Sequence, residues 1–209
     1  PWGFNATHGI EPITVEDYVN SRFILNPLRI WDCDRPVNAS AAYLFTTAER
    51  ARDMRQPPVY VLNHSQHNFK QRSTQADLDE IEMWTDRAAQ RMYEGAGLGP
   101  KDVDIFNPYD GYSIMAQFFL EAFQWHGVKR GDALKFYAGD IRAEGPHPFC
   151  SSGGNLGNGR TRTAMYTDSI EQLRGSAGAR QVKVRAETAL AAFTTPSSGG
   201  WIMFGKHPG

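Results

Sequence analysis

Cysteine is scarce: the 209 residues hold two, Cys33 and Cys150, far apart and matching no metal-ligand spacing. No stretch approaches the ~18 consecutive apolar residues of a membrane-crossing helix, and no basic, then apolar, then small-residue leader opens the chain. These absences argue against a membrane span and suit a reduced cytoplasm. Neither sign of charge prevails. The 22 Lys and Arg against 23 Asp and Glu leave a formal net charge of -1, which gives no bulk electrostatic reason to bind nucleic acid or an anionic membrane. Repeats and low-complexity tracts are lacking as well. The composition is that of an ordinary soluble protein, 41% hydrophobic and 22% charged, in a length that buries one core alone or one domain with part of another. The first residue is Pro1 rather than methionine, so further residues are expected upstream.

Periodicity and breakers order the elements. Residues 1–35 are rich in Pro, Asn and Trp, with one short helix expected from Thr14, where Glu16 and Asp17 put carboxylates in the first turn. Residues 37–47 (VNASAAYLFTT) read as a small-residue strand buried on both faces, Ala48 to Met54 as a short helix stopped by Pro57-Pro58, and Val59 to Leu62 as a second strand. The clearest helix spans 74–94, capped by Thr74 with Asp77 three positions on. Leu78, Ile81, Trp84, Ala88 and Met92 share one face, and Gly95 and Gly97 end the run. Val103 to Phe106 is a strand, and helix 114–126 follows with Phe118, Ala122 and Phe123 facing a core. After a loop of more than 20 residues come a helix from Thr163 to Arg174 and strands 187–194 and 200–205, joined by PSSGG. This order predicts an α/β fold, a mixed β-sheet covered by helices.

Two segments carry chemistry. Asn107-Pro108-Tyr109-Asp110-Gly111-Tyr112-Ser113 lies between a strand and an amphipathic helix, the place where α/β folds hold ligands. A phenol there donates to a developing oxyanion, or relays a proton if its pKa is lowered; the plainer alternative is a turn anchored by Tyr109 and Tyr112. Ser151 to Arg160 (SSGGNLGNGR) opens a helix, and its glycines let backbone approach a ligand with free N–H groups. It is neither a P-loop nor a dinucleotide fingerprint, and a tight turn with a helix cap explains it equally. Other features read as bland. Cys150 is more simply a buried structural thiol than a nucleophile. His64 and His67 fit no standard metal site. Arg160, Arg162, Arg174, Arg180 and Arg185 suit either a phosphate-bearing ligand or solvated element ends. Phe118, Phe119, Phe123 and Trp125 suit helical-core packing better than the lining of a bulky apolar pocket.

Taken together the loops resemble the thiolase superfamily. GGNLGNGR, with its helix and SIEQLRG, is similar to the C-terminal glycine motif of thiolases, where Gly-Gly-x-x-x-x-Gly-His-Pro opens a helix at the active site. NPYDGYS sits where sterol-carrier-type thiolases carry His-Asp-Cys-Phe and others Asn-Glu-Ala-Phe. TVEDYVNSRFILNPLRIWDCDRPVNASAAYLFTTAERARDM resembles the end of a thiolase N-terminal domain. The resemblance implies a thiolase-like fold, with residues 1–55 the tail of the N-terminal domain and 56–209 the C-terminal domain. It also puts Tyr109 where those thiolases have a catalytic histidine, Gly111 at their cysteine, and Arg160 at the histidine of Gly-His-Pro.

Imidazole replaced by phenol resembles the thiolase-like aldolases of steroid side-chain degradation. The activity so implied is retro-aldol cleavage of a β-hydroxyacyl-CoA. Tyr109 is the expected acid/base, Asp110 or Tyr112 orients it, Tyr166 is a second phenol, and Arg160 neutralises the enolate or caps its loop. Gly153, Gly154 and Asn155 are expected to bind substrate, with amides of Gly153 and Gly154 on the thioester oxygen. No metal and no cofactor beyond the substrate's own CoA is expected. The expected partners are an N-terminal thiolase half, a second copy in a homodimer, and a protein with an OB-fold domain. The alternatives are an acetyl-CoA acyltransferase or lipid-transfer thiolase whose nucleophilic cysteine lies on the other half, and a non-catalytic acyl-CoA-binding scaffold.

Overall fold

The computed structural model describes residues 11–68, 77–195 and 198–209. Helix α1 (Val15–Asn20) starts at Thr14, whose side chain accepts from the Asp17 N–H while Asp17 returns a bond to Thr14, so both orphan donors at this end are satisfied. A two-stranded ribbon of β1 (Phe23–Leu25) and β2 (Leu28–Arg29) follows. After α2 (Ala48–Arg52) comes β3 (Tyr60–Asn68), then α3 (Leu78–Ala96), β4 (Ile105–Asn107), α4 (Met115–Ala122), α5 (Ala133–Tyr137), α6 (Gly154–Asn158), α7 (Ala164–Arg174), β5 (Thr188–Thr195) and β6 (Ser198–Gly205).

The main sheet has the order β3-β6-β5-β4, with only β4 and β5 parallel. Its mixed character is as expected. Trp201 of β6 meets Phe119 of α4 and Phe123 just past its end, whereas Phe204 meets Tyr166 from α7. Residues 201 and 204 have opposite parity along a strand, so α4 and α7 cover opposite faces. Between the layers, Ala189, Leu190, Ala191 and Ala192 of β5 are fully buried. Small side chains there let helices approach both faces closely. Phe106 centres an aromatic cluster, with Phe123, Trp125 and Phe149 rings 5.4–5.7 Å away. Phe119, Phe123 and Trp125 are thus core residues, as their spacing suggests.

Several elements depart from expectation. Residues 37–47 form no strand: they run as coil without ladder partners, and Leu44 and Phe45 are 79% and 71% exposed. A small-residue strand needs neighbours on both sides, and this segment has none among the described residues. It arches over a groove of about 1500 Å³ against Val61, Ile170 and Ile202, tied by the Tyr43 hydroxyl to Thr167 Oγ1 at 2.8 Å. Helix α3 begins at Leu78, with Asp77 as its cap accepting from the Glu80 N–H; Thr74 lies outside the described residues. Gly95 stays inside α3, where a Cβ would collide with the Asn63 amide, and Gly97 ends it at φ 65°.

Leu78 is more than half exposed and Ile81 and Trp84 half-buried, so the buried face of α3 is Thr85, Ala88, Ala89 and Met92. The helix expected over 114–126 breaks after Ala122. Gln124 and His126 turn left-handed, which carries the Trp125 indole inward to donate to the Val103 carbonyl at 2.7 Å. Phe118 is half-buried, and Ala116, Phe119 and Leu120 face the core instead. The long loop before residue 150 contains α5.

Candidate active site

The C-terminal end of β4 delivers Asn107 into a buried polar network. Its Nδ2 donates to Asp168 Oδ2 at 3.2 Å and Ser169 Oγ at 3.1 Å, and its Oδ1 accepts the Ser152 N–H at 3.2 Å. Ser151 Oγ donates to Asp168 at 2.6 Å. Asp168 also receives Gln172 and the Arg180 guanidinium. Segment 148–150 runs beside β4, with the Cys150 N–H on the Phe106 carbonyl at 2.8 Å. Strand end and glycine loop are therefore locked side by side. Burial, then Asp110 and Asp168, push the Cys150 thiol up. A protonated thiol is a poor nucleophile, which agrees with the structural reading.

Asp110 is the second lock. It is 6% exposed and accepts the N–H groups of Asn155 at 2.5 Å and Leu156 at 3.4 Å, capping α6. It does not orient Tyr109, because both of its oxygens face these amides. A Cβ on Gly154, itself at φ 58°, would collide with this carboxylate, so glycine is required there. Desolvation outweighs the amide bonds and raises Asp110 from 3.8 to about 6. A raised folded pKa means that the native state holds its proton longer than the unfolded chain. Stability relative to Asp110→Asn is therefore expected to fall as pH rises from about 4 through about 6, and to level off above. A shift of about 2 units sets the change at about 3 kcal/mol. Urea denaturation of both proteins from pH 4 to 8 reads it, and parallel curves would refute it.

Tyr109 is 6% exposed, its ring edge-on to Phe193 at 5.9 Å. The side chain folds back over Gly111, where any Cβ would strike its hydroxyl. That hydroxyl makes no hydrogen bond to another described residue. Burial, then Asp34, raise the phenol, while Arg160 and Arg162 oppose them. Arg160 grips Asp34 through Nε at 2.9 Å and Nη2 at 2.6 Å. The charges of Tyr109 and Tyr112 both bear on this guanidinium. Tyr112 is 37% exposed and bridged through its backbone to Cys33. So Tyr109, Tyr112 and Arg160 share one site.

Other expected members lie elsewhere or are already engaged. The Tyr166 hydroxyl accepts the Phe193 N–H at 2.7 Å and donates to the Gly200 carbonyl at 3.3 Å, pinning α7 to β5 and β6. Burial pushes it up to about 12. The amides expected to hold a thioester oxygen are turned inward: Gly153 N–H bonds the Cys150 carbonyl and Gly154 N–H the Ser152 hydroxyl. Asn155 is fully buried, with its Oδ1 accepting the Arg162 N–H and its Nδ2 without a partner among the described residues.

Asp34 was not foreseen, being 126 positions from Arg160. Neither was the strap it lies on. The Asp34 N–H bonds the Gly111 carbonyl, the Ser113 N–H the Asp32 carbonyl, and the Arg160 N–H the Arg35 carbonyl at 2.7 Å. Residues 32–35 thus cross from one loop to the other. Asp168 did leave a signal: with Met165, Ser169 and Gln172 it occupies the buried helical spacing of α7, an unusual place for an acid. Among the described residues no cluster of three or more His, Cys, Asp or Glu is arranged to hold a metal, and no helix is long and apolar enough to cross a membrane.

Residues 65–203 match the family model described as thiolase C-terminal domain-like. The chain belongs to that family. The 17-hydroxy-3-oxo-4-pregnene-20-carboxyl-CoA lyase of Mycobacterium tuberculosis is 32% identical to this thiolase-type chain over 202 residues, 90% of the chain and 50% of the relative. The steroid side-chain-cleaving aldolase of Thermomonospora curvata is 28% identical over 198 residues, 90% of the chain and 49% of the relative. An acetyl-CoA acetyltransferase of Methanothermobacter thermautotrophicus is 32% identical over 177 residues. Among solved structures, the Ltp2-ChsH2(DUF35) aldolase superposes with a TM-score of 0.76 at 25% identity, over 93% of this chain and 51% of the other. The thiolase-type chain spans about half the length of the curated relatives it matches.

Proposed function

We propose that this thiolase-type chain provides the C-terminal half of a lyase that cleaves a β-hydroxyacyl-CoA by a retro-aldol step, with a steroid side chain as the acyl class. The observation that carries the reading is a phenol, Tyr109, buried beside the Arg160–Asp34 pair at the junction of the two loops. In the reaction Tyr109, as phenolate, takes the β-hydroxyl proton. The Cα–Cβ bond breaks as the carbonyl forms, and its electron pair becomes the thioester enolate. The same phenol then returns the proton to Cα, releasing a ketone or aldehyde and a shorter CoA ester. No covalent intermediate forms, so no thiolate is needed. Tyr112, at the open side, orients the substrate, and Arg160 offsets the enolate charge. Asn155 fixes the inner wall.

The two steroid-cleaving relatives support this reading, and the acetyltransferase relative supports acyl transfer as the second one. In our reading residues 1–55 belong to the end of an N-terminal thiolase domain whose remainder completes the cleft. In the same reading the protein works in the cytoplasm as a homodimer. It works beside a partner of the DUF35 kind, which we take to be the OB-fold-bearing one; the name of the solved aldolase supports that partner alone. The test is to incubate the full-length protein and that partner with a steroid β-hydroxyacyl-CoA and follow the CoA esters by mass spectrometry. A shortened ester with its ketone or aldehyde is expected. Acyl exchange without cleavage would favour the acyltransferase, and no product at all the scaffold.

A further inference from the structure

We propose that Arg162 is a positioning residue of this site, supplying the uncompensated positive charge next to the Tyr109 phenol; the role rests on the retro-aldol reading above. Four charged side chains bear on that phenol: Asp34, Arg160, Arg162 and Asp110. The Arg160 fork is committed to Asp34 at 2.6–3.0 Å, so these two charges largely cancel. Asp110 is committed to the amides of α6. Arg162 makes no ion pair with a carboxylate among the described residues. Its charge is the remainder.

Two contacts hold it in place. The guanidinium carbon sits 5.1 Å from the centroid of the Phe193 ring, a cation over an aromatic face. The same ring meets Tyr109 edge-on at 5.9 Å, so both the cation and the phenol ring pack against Phe193. Phe193 is itself fixed by its N–H bond to Tyr166. At the backbone, Arg162 is left-handed at φ 59°, a conformation that a bulky residue keeps only where its surroundings demand it. Asn155 is one partner of this backbone, its buried Oδ1 accepting the Arg162 N–H at 3.4 Å. Reversing that amide would set two donors against each other, so its orientation is determined.

The chemistry needs such a cation. Burial and Asp34 hold the Tyr109 proton on, yet the first step removes a proton from the β-hydroxyl. A positive charge with no counter-ion favours the phenolate and offsets part of that rise.

The test places 3,5-difluorotyrosine at position 109 of the full-length protein and follows its ionisation by ¹⁹F NMR, with and without Arg162→Gln. The glutamine variant is expected to raise the midpoint by about half to one pH unit. Arg162→Lys should restore most of the shift, with the melting temperature unchanged in both. The ascending limb of kcat/KM against pH, measured with unmodified Tyr109, should move by the same amount. Equal midpoints in wild type and Arg162→Gln would overturn the proposal. A midpoint shift in a protein that cleaves no β-hydroxyacyl-CoA would uphold the charge assignment and sink the retro-aldol reading alone.

Discussion

Tyr109→Phe is expected to lower kcat by about 10²–10⁴-fold, the range for removing a positioned general acid or base. The melting temperature should stay within a degree or two. Both halves of that expectation follow from one geometry. The Tyr109 ring packs on Phe193 and over Gly111, contacts that phenylalanine reproduces, while the hydroxyl makes no hydrogen bond to another described residue. Deleting it leaves no buried partner unmatched. Steady-state cleavage of a β-hydroxyacyl-CoA alongside calorimetry measures the two quantities. A variant that cleaves at the wild-type rate would remove Tyr109 from the chemistry. One that loses activity and stability together would show that the hydroxyl serves the fold.

Asp168→Ala is the stability counterpart. Asp168 is 2% exposed and gathers Ser151, Asn107, Gln172 and Arg180 around its two oxygens. Truncation leaves Arg180 with Glu171 as its carboxylate partner and removes the acceptor shared by three neutral donors, a loss of about 1–3 kcal/mol. Asp168→Asn keeps one acceptor and a similar volume, and should recover part of it. Urea denaturation gives both values. A loss below about 1 kcal/mol for Asp168→Ala would mean that water replaces the carboxylate, and that the network does not lock the loop. Because Ser151 and Ser152 precede the glycine turn, the alanine variant should also lose turnover more than its folded fraction explains.

The sequence made local features legible and long-range ones not. The α7 boundaries, Gly175 as its stop and the Thr14 cap follow from propensities acting within a few residues, and they were read correctly. The two site loops were legible because glycine and turn chemistry concentrate there. Residues 37–47 show the limit. Their pattern satisfies a strand, but a strand also needs neighbours, and a pattern cannot say whether the chain itself supplies them. Tyr166 shows another limit. A tyrosine near a glycine loop is equally a phenolic catalyst or a clamp, and the Phe193 N–H that decides it is 27 positions away. Asp34 could not be paired with Arg160 from sequence at all, since no local rule connects them.

The strap of residues 32–37 has a consequence for how this protein can change. Gly159 lies against Val37 so closely that any side chain at 159 would collide with it. The Arg160 N–H and its guanidinium bind the Arg35 carbonyl and the Asp34 carboxylate of the same stretch. Neither the glycine turn nor this crossing segment can then drift alone: a replacement in one survives only with a matched replacement in the other. Among homologues, position 34 should vary in step with 160 and position 37 with 159, although more than a hundred residues of chain separate the two groups.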